Sequence, residues 1–521
     1  MDTTLRDGAQ GEGIVFSLRD KLSVTETLDE LGVSWIEAGN PGSNPRDLEF
    51  FRLVSSLNLK TAKLCAFGST RKKGVKAAND EHLCSLLNAG TEAVVIFGKS
   101  WDLHVREVLR VSPEENIAMI AETIAFLKGE CRMVMFDAEH FFDGYASNPN
   151  YALSTVKAAM DAGADRVVLC DTNGGTFPDA VAAGVRAVKI ACEEKKLSAK
   201  ALMGIHAHND SGIAIANTIC AVQEGCTHVQ GTLVGFGERC GNTALAALIP
   251  SLELKMKLRC LPEGNLSRIC ELTRRVAEIA NVMVSDDMPY VGDHAFSHKA
   301  GMHADGIIKT PLSFEHIDPA SVGNERHLPM SEVGGRSAIS ERVKKINPSI
   351  TKDHPVTIAL AEKLKSLKAA GMSYEGADAS FEILVRRELG MYQPQFTIEA
   401  YRVMSEHPSN TTIACSHAWV KVLVDGQYEI AAAEGEGPVN ALDGALRRAL
   451  TRFFPTLAKV RLEDYKVRVI NGKDATAAQV RVLIESTDGM RNWGTVGVSA
   501  DIIDASRAAL VDAIEYKLIY Y

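Results

Sequence analysis

From residue 1 to about 260, short apolar runs rich in β-branched residues alternate with longer amphipathic stretches. The runs are Trp35–Ala38, Thr61–Phe67, Ala93–Phe97, Met133–Phe136, Val167–Cys170, Leu202–Ile205 and Val229–Leu233. Between them, Leu18–Leu31, Pro113–Leu127, Thr155–Ala162 and Ile213–Glu224 carry apolar residues at helical spacing. With a stub at Asp2, the runs predict eight strands, each followed by a helix. Eight such units in about 250 residues fit a parallel (β/α)8 TIM barrel better than an open doubly wound sheet. A dinucleotide-binding sheet would need a glycine fingerprint after its first strand, and Gly8, Gly11 and Gly13 do not have that spacing.

The pattern changes twice downstream. Residues 265–395 read as a mainly helical, loop-rich linker with polar punctuation such as Asp286-Asp287-Met288-Pro289. Residues 396–521 hold two similar halves. The first runs from Ala418–Val424 through Gly435-Glu436-Gly437-Pro438 to Ala441–Leu450. The second runs through Gln479–Ile484 and Trp493–Val498 to Ile502–Leu518. This duplication predicts a C-terminal α+β domain of two repeated units. The expected organisation is therefore a barrel over 1–264, helical linker subdomains over 265–395 and the α+β domain over 396–521. At the other end, Met1-Asp2-Thr3-Thr4 opens directly on the tail of a strand. A longer chain upstream and a genuine stub are both open readings.

Composition narrows the partners. The 521 residues carry a formal charge of -9, which argues against nucleic acid and against an anionic membrane. No apolar run approaches the length that spans a bilayer, and no basic head precedes an apolar stretch. The eleven cysteines are scattered, with no CxxC pair, as expected of reduced thiols in a cytoplasmic protein. Small-molecule substrates remain the expected partners.

Candidate chemistry sits at three strand ends. In this fold, active residues gather at the carboxyl face of the barrel. Three polar clusters fall there: Leu5-Arg6-Asp7-Gly8-Ala9-Gln10, His206-Ala207-His208-Asn209-Asp210, and Gly235-Phe236-Gly237-Glu238-Arg239-Cys240-Gly241-Asn242. Residues two apart in extended chain share a face, so His206 and His208 aim at one point. Closure makes the first, seventh and eighth strands neighbours, which lets Asp7 and Asn242 approach the same point. One carboxylate, two imidazoles and an amide oxygen suit a divalent ion such as Mn²⁺, Mg²⁺ or Zn²⁺. An isolated HxH is more often structural than ligating, and an isolated Arg-Asp is usually a solvated pair. Three such clusters on adjacent strand ends are hard to attribute to chance. Thr172, in Cys170-Asp171-Thr172-Asn173-Gly174-Gly175, follows the sixth strand and is equally a turn cap or a hydroxyl for a substrate carboxylate.

Asp2-Thr3-Thr4-Leu5-Arg6-Asp7-Gly8-Ala9-Gln10 resembles the opening signature of the 2-isopropylmalate, homocitrate and citramalate synthases. These share a metal-binding barrel with the 3-hydroxy-3-methylglutaryl-CoA lyases. The His206/His208 and Gly235–Asn242 motifs are similar to the same family, as is His294-Ala295-Phe296-Ser297-His298-Lys299-Ala300-Gly301-Met302-His303-Ala304-Asp305-Gly306. The stretches Gly39–Pro45 and Ala138–Tyr145 most resemble the long-form citramalate synthases, which condense acetyl-CoA with pyruvate on a route to isoleucine. The resemblance implies acetyl-CoA as co-substrate and Arg6 as the cation beside the reacting keto oxygen. It also implies Glu139 and His303 as the acid–base pair, with His303 supplied by a partner subunit. Gln10 and Tyr145 are weaker pocket candidates, and Thr172 a carboxylate-binding one. His140 competes with Glu139, but adjacent strand residues face opposite ways. Relatives with a catalytic tyrosine after a motif like Ile317–Gly323 are not matched, since Asn324-Glu325-Arg326-His327 holds none. The C-terminal domain resembles the allosteric, dimerising domain of the synthases, which implies a homodimer with a branched-chain amino acid as effector. The rival expectations are a sister synthase acting on 2-oxoisovalerate or 2-oxoglutarate, a lyase, and a non-catalytic amino-acid sensor on a dead barrel.

Overall fold

The computed structural model of the protein describes residues 1–130, 133–194, 203–298, 301–327, 335–406, 415–470 and 478–520. They form two compact units, Met1–Phe296 with Ile317–Arg326, and Ser297–His316 with His327–Tyr521.

The first unit is an α/β barrel. Its parallel strands β1 (Trp35–Glu37), β2 (Lys63–Ser69), β3 (Ala93–Lys99), β4 (Met133–Glu139), β5 (Arg166–Asp171), β6 (Met203–Ala207) and β7 (His228–Gln230) lie side by side in chain order. The eighth stave passes through Asp2. It bridges Gly231 on one side and Ile36 on the other, both parallel. The Asp2 amide donates to the Trp35 carbonyl (2.8 Å), and the Glu37 amide donates to the Asp2 carbonyl (2.9 Å). One residue thus closes the ring. All seven expected apolar runs become strands; Leu202, at the start of one, lies outside the described residues.

Local signals set the helices between them. Ser17 and Asp20 form a reciprocal capping box ahead of the helix Leu18–Leu31, whose Val24, Leu28 and Leu31 are wholly buried. Asn44 caps and Pro45 starts the helix Pro45–Val54. The segment Asp102–Leu109 after β3 ends in a π-helical turn, Val105–Leu109. The helix Ile269–Ile279 belongs to this unit and packs on Leu18–Leu31.

The second unit begins with helices. Gly335–Ile346, Pro355–Ala369 and Asp378–Glu388 share a small core of Val343, Leu360, Phe381 and Val385. The expected duplication follows, with more strands than the sequence pattern indicates. Each half is three antiparallel strands and a helix: β8 (Thr397–Glu406), β9 (Cys415–Val424), β10 (Gln427–Gly435) and Pro438–Thr451, then β11 (Arg461–Val469), β12 (Val480–Thr487), β13 (Asn492–Ser499) and Ile502–Tyr520. Leu442, Ala445, Leu446 and Ala449 of the first helix and Ala505, Ala509 and Ala513 of the second join Val420, Val422, Val482 and Ile484 in one core. Among the described residues, no helix is long and apolar enough to cross a membrane.

Candidate metal centre and active site

The barrel mouth is organised by how tightly the chain turns after each stave. Immediately after Asp2, the amides of Arg6, Asp7 and Gly8 all donate to the Thr3 carbonyl (3.1, 2.8 and 3.1 Å). This turn sets Arg6 and Asp7 at the mouth. The loop after β7 folds back on the end of β6: the Asn209 amide donates to Gly241 O (2.9 Å), Thr243 N to Ala207 O (3.0 Å), and His208 bridges Asn242. Gly241 sits at φ +85 within this fold-back, a left-handed conformation that glycine adopts without strain. A Cβ on Gly237 would lie 2.2 Å from Nδ2 of Asn242 and 3.6 Å from Oδ1 of Asp7, so only glycine lets loop, amide and carboxylate meet here. Arg239 fastens the loop from outside. Its guanidinium forks onto Asp210 (2.8 and 3.0 Å) and donates to the Thr172 carbonyl (2.7 Å).

Asp7, His206 and His208 converge, each offering one donor atom within 4.8 Å of the others, and all three are buried. Nε2 of His206 lies 3.3 Å from Nε2 of His208 and 3.4 Å from Oδ2 of Asp7. Asn242 is buried alongside. Its Oδ1 and Nδ2, Oδ1 of Asp7 and Nδ1 of His208 are buried without a hydrogen-bond partner. Buried polar atoms are normally satisfied, so the unpartnered acceptor oxygens of Asp7 and Asn242 beside two imidazoles fit a site built for a cation.

The electrostatics agree with that fit. Burial raises the Asp7 carboxyl, but Arg6 and the two histidines outweigh it and bring it down to about 2. Burial, aided by the neighbouring His208 and Arg6, lowers His206 to about 3, and burial lowers His208 as well. The donors are thus an ionised carboxylate and two neutral imidazoles, the forms that ligate a divalent ion.

The other expected residues distribute unequally. Arg6, Asp7, Gln10, Glu139, Thr172, His206 and His208 line one cavity of about 300 Å³. Glu139 ends β4 and ion-pairs with Lys99 at the end of β3. His140 turns away at φ 56, its ring against His104 (4.2 Å) and its Nδ1 on Asp143 (3.0 Å). Strand alternation alone therefore understates how far His140 departs from the Glu139 direction. Its amide donates to Oγ1 of Thr172 (2.9 Å), which orients that hydroxyl. Tyr145 is not among the cavity's lining residues; four residues along the helix Phe141–Ser147, its ring stacks on Phe141. His303 belongs to the other unit, exposed on the helix Gly301–Lys309 with its ring stacked on Phe314 (4.1 Å).

Residues 1–276 match the HMGL-like family, 290–371 the homocitrate synthase post-HMGL domain-like family, and 375–518 the LeuA allosteric (dimerisation) domain. The chain is 48% identical over 517 residues to the (R)-citramalate synthase of Aquifex aeolicus, covering 99% of this chain and 97% of that protein. It is 47% identical over 517 residues to the (R)-citramalate synthase of Geobacter sulfurreducens, with the same coverage. Identity falls to 30% over 515 residues against the 2-isopropylmalate synthase of Methanocaldococcus jannaschii, at 98% and 93% coverage.

The chain belongs to the (R)-citramalate synthase family.

Sequence reasoning missed several residues of this family's barrel mouth as it stands here. Glu37, fully buried at the end of β1, accepts from Nε of Arg6 (2.5 Å) and holds the guanidinium over the Phe67 ring (3.8 Å). Burial raises the Glu37 carboxyl, and Arg6 opposes it. Phe67 and Phe97 stack (5.3 Å) as the apolar side of the cavity, and Asp137 and Cys170 line its floor. Burial, then the nearby Glu37, pushes the Asp137 carboxyl well above its ordinary value. The available signal was a charged residue at the carboxyl end of an apolar run, which is Glu37 after Ile36 and Asp137 after Phe136.

Proposed function

We propose that the protein condenses the methyl carbon of acetyl-CoA with the keto carbon of pyruvate, giving (R)-citramalate and free CoA. The observation that carries this reading is the 48% identity to an (R)-citramalate synthase over almost the whole of both chains, against 30% to a 2-isopropylmalate synthase. The buried donor cluster supports the chemistry.

Asp7, His206, His208 and Asn242 would hold one divalent cation, with Mn²⁺, Mg²⁺ and Zn²⁺ all compatible with this mixed O/N set. When bound, the cation supplies Lewis acidity for the keto group of the oxo acid. Arg6, fixed by Glu37 and Asp7, puts a second positive charge where that oxygen becomes negative. The Thr172 hydroxyl and Gln10 hold the oxo acid's carboxylate, fixing its orientation. Glu139, ion-paired with Lys99, takes a methyl proton from acetyl-CoA. The new carbon–carbon bond forms as the keto oxygen gains a proton from the acid–base pair that Glu139 makes with His303 of a partner subunit. Water then cleaves the thioester, releasing CoA with its thiol. Tyr145 has at most a supporting place beside the pocket. The protein works in the cytoplasm as a homodimer, and its C-terminal domain takes a branched-chain amino acid, isoleucine, as feedback effector.

The test is CoA release from acetyl-CoA with pyruvate, 2-oxobutyrate, 2-oxoisovalerate and 2-oxoglutarate, before and after removal of divalent cations. Pyruvate is expected to be the best acceptor, with activity lost on chelation and restored by Mn²⁺. Preference for 2-oxoisovalerate would reassign the protein to the sister activity.

A further inference from the structure

Behind His206 runs a chain of buried polar side chains that the proposed reaction leaves without a role. His206 and Gln230 are register partners on the neighbouring strands β6 and β7. Nδ1 of His206 lies 3.0 Å from Oε1 of Gln230, and Nε2 of Gln230 donates to Oδ1 of Asp137 at 3.1 Å. Asp137 stands on β4, with β5 and β6 intervening before β7, so this bond crosses the barrel interior rather than following the sheet. Gln230 is wholly buried, and Asp137 and His206 are 4% and 5% exposed. An apolar filling would serve folding as well, since burying polar groups costs stability unless each is satisfied.

The direction of the chain fixes the imidazole. Nε2 of Gln230 donates to Oδ1 of Asp137, which turns the amide oxygen towards Nδ1 of His206. That oxygen demands a proton on Nδ1. Nε2 of His206 is then left with its lone pair directed at Asp7 and His208.

We infer that Asp137 and Gln230 are positioning residues for the metal centre, locking His206 in the tautomer and orientation that present Nε2 to a divalent cation. The inference rests on the metal-dependent reading above. Partners of this kind behind a ligating histidine typically alter metal affinity by about 10–100-fold.

The experiment is Mn²⁺ titration of the metal-stripped full chain, followed by electron paramagnetic resonance, with a thermal melt of each variant. Gln230→Leu is expected to raise the Mn²⁺ dissociation constant about 10–100-fold, and Asp137→Ala about 10-fold. Asp137→Asn keeps an oxygen that accepts from the amide, so it is expected to bind Mn²⁺ within about threefold of the unaltered protein. If Gln230→Leu does not fold, the Asp137→Ala and Asp137→Asn pair decides alone. Unchanged affinity in Gln230→Leu, or equal weakening in Asp137→Ala and Asp137→Asn, would overturn the relay. An unaltered protein that binds no Mn²⁺ would overturn the metal reading itself, a result distinct from either.

Discussion

The two ends of the chain handle buried polarity in opposite ways. At the barrel mouth, Asp7, Glu37, Asp137, His206, His208, Gln230 and Asn242 are all buried within one small region, and several of their polar atoms have no hydrogen-bond partner. In the duplicated C-terminal half, the core is Val, Leu and Ala from two sheets and two helices, and its buried Lys517 and Glu515 each have a partner. Lys517 pairs with Asp488 (2.6 Å), and Glu515 accepts from the Gln395 amide (3.0 Å). Unsatisfied buried donors are costly, so they persist where a ligand completes them. The contrast locates the chemistry in the first unit and leaves the second with packing, the property that association and sensing need.

The largest effect that tests this contrast is at Asp7. Asp7→Ala is expected to cut turnover by ~10³-fold or more, the loss of several kcal/mol of transition-state stabilisation. Its thermal midpoint should fall by only a few degrees, because Arg6 keeps its pair with Glu37 when the Asp7 carboxylate is removed. CoA-release kinetics and a thermal melt check both halves of the expectation. A large fall in midpoint with little change in turnover would make Asp7 a structural residue.

Leu446→Ala probes the opposite case. Leu446 is fully buried in the C-terminal core, and truncation there costs about 2–5 kcal/mol through lost transfer energy and the cavity left. Hydrogen exchange is expected to speed up across β9 and β12 while amides of β3 and β4 keep their protection. Equal loss in both units would show that the two fold as one cooperative body.

How much of this is legible in the sequence depends on whether a residue's role is local. The apolar runs and the Ser17/Asp20 box declare their elements within a few positions, so the strands and helices of the barrel are readable from pattern. The pair His206/His208 is readable because strand geometry fixes what two-residue spacing does. Gln230 and Asp137 are not, because each looks like an ordinary polar residue closing a strand, and the two are 93 positions apart until the ring closes. β8 and β11 are hidden for another reason. Most of their residues are exposed or half-buried, and a register shift at Ile398/Ala400 and at Leu462/Asp464 interrupts the alternation that marks a strand. His140 escapes pattern altogether, since its φ of 56 breaks the alternation that placed it.

The smallest expected effect concerns a C-terminal carboxyl whose burial brings its titration to neutral pH. Glu515 is held among the Ile502–Tyr520 helix contacts, and burial, partly offset by the Gln395 and Phe396 amides, raises it to about 7. An unfolded glutamate titrates near 4.5, so between about 4.5 and 7 the folded unit keeps a proton that the unfolded chain has released. Stability from this group is therefore fully present below about 4.5 and is lost as pH rises to about 7. Glu515→Gln removes the titration while keeping an oxygen to accept from Gln395. Relative to the unaltered protein, its C-terminal unit should gain about 1–3 kcal/mol on going from about pH 4.5 to about pH 8, because each tenfold difference in proton affinity between folded and unfolded chain is worth about 1.36 kcal/mol. Asp512, also raised by burial, adds to the upward push on Glu515, so the difference reports the pair rather than Glu515 alone. Thermal melts of the pair across that range measure it. A gap between the two curves that stays constant with pH would place Glu515 in a site where its charge is already solvated, and the satisfied-core side of the contrast would lose its clearest case.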